Sequence, residues 1–366
     1  MMRMTTLRFN PAPPQELMPS ARIQWIDFCR VWTAFFVVLR HVDRPYGSFN
    51  YIIDLFNYRS LIFFFFLAAG YFTHKAAAGQ WLDWKRTRTL LVPFVFWTAV
   101  ASILLLQPMM HWGQTLAGDF SWFKWELIPR EMGLLNWCYW DFDNVPLWFL
   151  RTLILLALFS PLLQRLPGKL LLVLVLLCFA GSDVLCARDA ETAASHKSWK
   201  VGWLPFRLYE SILALGFYSL GLWVRRYADF ERFTAFVRQY AWAPVLAALL
   251  LLPLVYTFGF YPPVQSSALV LLGVSCTMGI GALCEQHLPR FTRAVVALAP
   301  ASFFIYVTHY IVLHALRLVY TGSYGGAFTR TQCLYMPLVI LAVCSVLFFL
   351  LRRLFPRAMQ VLALTK

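Results

Sequence analysis

Ten apolar stretches, separated by short polar or basic loops, run along almost the whole chain, at 23–43, 50–73, 89–107, 146–164, 168–182, 203–224, 241–260, 264–284, 294–320 and 332–354. Crossing a bilayer as a helix takes about 20 consecutive apolar residues, and in lipid every backbone polar group must be satisfied within the protein. Most of the stretches reach that length. Composition agrees: 60% of the residues are hydrophobic and 13% charged, with a mean hydropathy of +0.62, far from the balance of a soluble domain. The expected fold class is all-α, a polytopic membrane bundle of about ten transmembrane helices. Two stretches depart from the pattern: the fifth, LLLVLVLLCFA at 170–180, is short, and the ninth is interrupted by Thr308, His309 and His314.

Basic residues orient the bundle. Lys75, Lys85, Arg86 and Arg88 fall between the second and third stretches, and Arg225, Arg226, Arg232 and Arg238 between the sixth and seventh. Asp119, Glu126, Glu131, Asp141 and Asp143 lie instead in the long loop before the fourth. Cytoplasmic loops retain the excess of Lys and Arg, so both termini are expected in the cytoplasm. The net charge of +15 then reads as topology and contact with anionic lipid headgroups, not as a nucleic-acid partner. Residues 1–20, with Pro11, Pro13, Pro14 and Pro19 and no small-residue cleavage site, read as a flexible tail; 21–358 form one transmembrane domain, and 359–366 a C-terminal tail. Eight cysteines without a CxxC pair point away from metal binding. Cys138 and Cys186 both fall in external loops and would pair only if that side is oxidising. The long loop carries Trp112, Trp122, Trp125, Trp137, Tyr139 and Trp140. These form an interfacial cap or, alternatively, a sugar-stacking lip in which Asp141 and Asp143 accept from hydroxyls.

Membrane chemistry must be built from the few ionisable groups inside the spans. Arg30 and His41 stand eleven residues apart on the first span, which is three turns plus roughly 20° and a rise of roughly 16 Å. Asp27 shares their face, and three such groups on one face line a polar cavity more readily than they meet lipid. A neutral imidazole titrates near physiological pH and accepts a hydroxyl proton, which suits His41 to general-base work; its bland reading is a helix-end residue reaching headgroups. Arg30 reads as a ligand or as the ion-pair partner of Asp27, with Asp27 its orienter. Arg59, before SLIFFFFLAAG, is an interfacial anchor or a cavity residue, and Arg151 has the same two readings, with Trp148 beside it suggesting an interface. Glu210 and Tyr209 in the sixth span, and His309 and Tyr306 on one face of the ninth, extend the set. His314, five positions past His309, points elsewhere.

These residues carry a resemblance. RIQWIDFCRVWTAFFVVLRH at 22–41 is similar to the opening span of the acyltransferase 3 family, with its Arg, ten residues, His motif. FFFFLAAGY at 63–71, KRTRTLLVPFVFW at 85–97, PLWFLRTLILLALFSPLL at 146–163 and SFFIYVTHYIVL at 302–313 resemble later family segments in the same order. Four positions depart from the pattern: Arg40 stands where a small residue is usual, Ala68 and Ala69 stand where Ser and Gly precede Gly70, and Lys85 replaces the first of a paired-arginine element completed by Arg88.

The resemblance implies an integral-membrane O-acyltransferase, in a bacterial inner membrane, that moves an acyl group from cytoplasmic acyl-CoA to a hydroxyl of a cell-envelope glycan or lipid-linked saccharide. Acetyl-CoA is the expected donor, with no metal. His41 would act as general base or transient acyl carrier. Arg30, Lys85, Arg86, Arg88 and Arg59 would meet the donor's phosphates and thioester, since cationic donors match phosphate oxygens. His309 and Tyr306 would line the cavity or hold the thioester carbonyl, with Glu210, Trp148, Asp141 and Asp143 on the acceptor side. The competing class is a transporter or flippase of a glycan or lipid-linked saccharide. Many transporters have two related halves with matching interrupted spans, and residues 23–182 and 203–354 show no such correspondence.

Overall fold

Apolar segments that leave water behind close their backbone hydrogen bonds locally, and the chain does so as helices. The computed structural model describes residues 23–42, 60–77, 79–100, 105, 107–121, 147–195, 208–257, 266–324 and 326–364, with no strand among them. In order these are α1 Gln24–His41, α2 Ser60–Tyr71, α3 Trp84–Trp97, the short α4 Gln107–Met110 and α5 Trp112–Leu116, α6 Trp148–Arg165, α7 Gly168–Ser195 and α8 Leu208–Tyr227. They continue as α9 Phe230–Gln239, α10 Trp242–Thr257, α11 Ser267–His287, α12 Pro289–Val296, α13 Ser302–Thr321, α14 Arg330–Leu354 and α15 Pro356–Leu362. Five helical segments are long and apolar enough to cross a membrane: α6, Gly168–Ala187 within α7, α11, the α12–α13 stretch and α14. A sixth is added if α9 and the first part of α10, bent by 48°, make one broken span. The described residues thus demonstrate five or six spans and do not establish the count of ten.

The fifth stretch proves to be continuous helix, and the ninth is helical through its polar residues, for local reasons. In α7 the short apolar run is extended past Ser182 and Asp183, whose side chains find partners on neighbouring helices. Ser182 Oγ donates to the Tyr209 carbonyl at 3.0 Å, and Asp183 Oδ1 accepts from the Ser267 amide at 2.7 Å and its hydroxyl at 2.8 Å. That carboxylate satisfies a donor at the start of α11. In α13 the polar residues turn back on their own helix: Thr308 Oγ1 donates to the Phe304 carbonyl at 2.7 Å, and His309 Nδ1 to that of Tyr306 at 2.8 Å. The break comes earlier, in the 3-10 turn Ala299–Ala301 around Pro300. In the last helix, α15, Met359 and, just past its end, Ala363 are buried, and the Trp97 indole donates to the Leu362 carbonyl at 2.9 Å.

The core is centred on α1, which packs against α2, α11, α12, α13 and α14. Close helix approach in membranes relies on small residues. A Cβ on Gly281 of α11 would lie 2.6 Å from Cys29 Sγ and 2.9 Å from the Trp25 carbonyl of α1. At the α2–α8 crossing the fit is reciprocal: Gly70 lies against the Tyr218 carbonyl and Gly221 against the Leu67 carbonyl, each too close for a Cβ.

The bundle has two chemically distinct ends. Trp25 opens α1 6.2 Å from the ring of Phe233, which stacks at 4.9 Å on Tyr71, the last residue of α2. At this end Arg225 donates to the Tyr71 carbonyl at 3.0 Å and also to that of Thr73, and Arg226 to those of Gln164 at 2.7 Å and Leu166 at 2.6 Å. Arg165 donates to the Gln80 carbonyl at 2.8 Å and lies 3.9 Å over the Trp81 ring. His41 closes α1 about 24 Å away along the helix, at the far end.

Candidate active site

At the far end two imidazoles from helices distant in sequence meet. The ring centroids of His41 and His309 are 5.1 Å apart at 48°, and Tyr310 presents an edge to His41 at 5.5 Å. His309 is 1% exposed. Its Nδ1 lies 2.8 Å from the Tyr306 carbonyl and 3.1 Å from that of Ile305. Carbonyls only accept, so these contacts assign the proton of the neutral ring to Nδ1 and leave a lone pair on Nε2. That Nε2 is buried with no hydrogen-bond partner among the described residues.

Aromatic packing holds this pair. Tyr306, buried, lies 6.3 Å from His309 and meets Phe149 edge-on at 5.3 Å. Phe149 adjoins the buried Trp148, whose ring is 6.1 Å from Phe66. His314 joins the same cluster through Tyr310, 4.5 Å distant, and stacks on Tyr324 at 4.0 Å. Tyr310 is a member of the cluster that the sequence did not single out. Its legible signal was spacing: four residues separate it from His314, which puts both on one helical face.

Two further charged side chains are buried, one in α6 and one in α8. Arg151 is 5% exposed, which favours an interior position over an interfacial one, and Glu210 is 2% exposed. Helical rise puts Arg151 about 21 Å from Arg165 and Glu210 about 23 Å from Arg225, towards the far end. Buried charge at membrane depth marks functional sites. Arg30 lies nearer the basic end, where its Nη1 is 3.2 Å from Asp27 Oδ1, with side chains 39% and 12% exposed. One end of the bundle thus gathers the imidazoles of His41, His309 and His314, and the other the arginines that bind carbonyl groups.

The family's sequence model, described as an acyltransferase domain, matches residues 23–352. The chain belongs to the acyltransferase 3 family. No curated protein and no solved structure matches it. With its apolar helices, it is a multi-pass membrane acyltransferase.

In this acyltransferase the basic residues of the α3 entry do different work. Lys85 and Arg88 are exposed, whereas Arg86 is half-buried and points inward. Its Nη1 donates to Thr73 Oγ1 at 2.6 Å and the Tyr218 hydroxyl at 3.3 Å, and its Nη2 to the Ala69 carbonyl at 3.1 Å. Arg86 thus clamps carbonyl and hydroxyl groups at the C-terminal end of α2, where helix geometry leaves acceptors unpaired. Replacing Arg86 by Ala is expected to destabilise the enzyme by about 1.5–3 kcal/mol, the range for hydrogen bonds to charged groups. Thermal unfolding in detergent checks this; an unchanged midpoint would remove the clamp. An apolar cavity of about 150 Å³ at the basic end is lined by Trp25, Phe64, Tyr71, Phe72 and Phe233 among others, and by none of the candidate site residues. Arg59, Asp141, Asp143, Cys138 and the aromatic residues at 122–140 lie outside the described residues.

Proposed function

We propose that this acyltransferase moves an acyl group, in the first instance acetyl, from cytoplasmic acyl-CoA to a hydroxyl of a cell-envelope glycan, and that His41 is the centre of the chemistry. The observation that carries the reading is the pairing of His41 with His309 at the end of the bundle opposite the arginine-rich one. Cytoplasmic loops are rich in Lys and Arg, so the basic end faces the cytoplasm and meets the donor. Exposed Lys85 and Arg88 and the half-exposed Arg30 are suited to phosphate oxygens. The thioester then extends along α1 towards His41.

Two routes fit. In direct transfer His41 takes the proton of the acceptor hydroxyl, its oxygen attacks the thioester carbonyl, and the thiolate of CoA leaves and is protonated. In the carrier route an imidazole nitrogen of His41 attacks the thioester, CoA thiol departs, and the hydroxyl attacks the acyl-imidazole. Trp148, Tyr306 and Glu210, with Asp141 and Asp143 from the long loop, are the groups offered to the saccharide. Family membership favours transfer over the transporter or flippase alternative.

The test is to incubate the purified protein in lipid nanodiscs with acetyl-CoA labelled in the acetyl group, following thiol release and label on protein or added glycan. Mass spectrometry of envelope glycans with and without the gene reads the added mass. Acetyl-CoA turnover with an acetylated glycan is expected. Inertness towards acetyl-CoA and longer acyl-CoAs, with unchanged glycans, would overturn the reading.

A further inference from the structure

His309 contributes something other than a carbonyl clamp. As a neutral ring its one N–H is already committed to the backbone of Tyr306 and Ile305, so it has no donor left for a thioester oxygen. What it offers is the lone pair of Nε2, buried and without a hydrogen-bond partner among the described residues. Buried polar atoms are nearly always paired, and an orphan in a native interior calls for an explanation. A lone pair beside a second imidazole, with centroids 5.1 Å apart, is a proton acceptor awaiting a donor.

We infer that His309 Nε2 accepts the proton that His41 must shed during acyl transfer. The inference rests on the proposed function and assigns a role inside it. In direct transfer, His41 gains the hydroxyl proton and becomes an imidazolium; an N–H proton of His41 passes to His309 Nε2, restoring neutral His41. In the carrier route, acylation at one nitrogen leaves a cationic ring, and its remaining N–H proton passes to His309 in the same way. The proton then returns through His41 or bound water to the departing thiolate, so neither route leaves net charge behind. The backbone carbonyls of Tyr306 and Ile305 stabilise the doubly protonated His309 by accepting from Nδ1–H. A second imidazole is useful here because a site remote from bulk water offers no ready alternative acceptor.

The described titratable groups whose rings reach His309 are His41 from α1 and Tyr306 from its own helix; Cys344 of α14 meets the adjoining Thr308. α6 faces this helix with Phe149, through Tyr306.

The variant that isolates the role is His309→Asn, whose amide can still donate to the Tyr306 carbonyl while Nε2 is gone. In nanodiscs with labelled acetyl-CoA and the native glycan acceptor, kcat is expected to fall by about 10²–10⁴-fold, the usual contribution of a positioned base, with KM for acetyl-CoA within twofold. The pH–rate profile should lose one inflection on its acid side. His309→Ala should regain at least tenfold with added imidazole, and His41→Ala should not. Undiminished kcat in folded His309→Asn would overturn the inference, and so would a loss of rate with an unchanged pH profile and no imidazole rescue. If His309→Asn does not fold, His309→Gln decides by the same readouts. A wild-type enzyme that turns over no acyl-CoA would instead overturn the proposed function, so the two failures are distinguishable.

Discussion

His41→Ala is expected to reduce acyl transfer by 10²–10⁴-fold or more while leaving a folded protein. The lower bound is what one positioned acid–base group contributes, and the loss is greater if the residue also carries the acyl group covalently. Folding should survive because His41 is only half-buried and closes the last turn of α1, beyond the Cys29 and Trp25 contacts that seat the helix on α11. The substitution removes ring packing against His309 and Tyr310, and aromatic pairs of this kind are worth about 0.5–1.5 kcal/mol each. A melting midpoint within a few degrees of wild type, with acetyl-CoA turnover near background, is the expected pair of results. Full transfer in such a preparation would remove His41 from the centre of the reaction.

The largest effect on the fold is expected from Gly221→Leu. A Cβ at this position falls on the Leu67 carbonyl and 2.7 Å from the Tyr71 amide, both of them backbone atoms of α2 that no rotamer change can move aside. The two helices must separate, and the reciprocal fit at Gly70 against Tyr218 opens with them. Overpacking a well-packed interior costs typically about 1–3 kcal/mol, and here the whole crossing is displaced. The Arg86 and Arg225 hydrogen bonds that tie the end of α2 to its neighbours lie next to this crossing and should weaken too. Size-exclusion chromatography after detergent extraction should show little monodisperse protein, with Gly221→Ala intermediate. A wild-type profile for Gly221→Leu would mean that the helices do not approach so closely.

The helical class was legible because hydrophobic length alone compels helices in lipid, and the Arg, ten residues, His spacing was enough to single out His41 as a candidate. The pairing of His41 with His309 was not legible, because a helical repeat fixes which residues of one helix share a face and says nothing of which helix that face meets. The same limit explains Arg86. Its position in a basic run looks like every other topology charge, and only the fold reveals that Ala69, Thr73 and Tyr218 converge on it. Arg151 was ambiguous because the neighbouring Trp148 is an interfacial residue by composition yet is buried in the bundle. The polar end of the fifth stretch and the polar interior of the ninth misled for a related reason. Hydropathy counts Asp183 and His309 against a span, although one finds its partner on another helix and the other on its own backbone.

The central position of α1 has a consequence for how the molecule is made. This helix is made before the other described helices, yet the groups that seat it come late: Cys29 Sγ donates to the Thr277 carbonyl at 3.3 Å, across 248 residues of chain. His41 must wait longer still for His309, 268 positions on. Contacts between such distant parts form slowly, because the intervening chain must be in place before they return any free energy. During synthesis the ionisable face of α1 therefore stands without its final neighbours until most of the helices have been inserted. A chain interrupted before α13 holds half of its imidazole pair, so catalytic competence is itself a record of completed assembly.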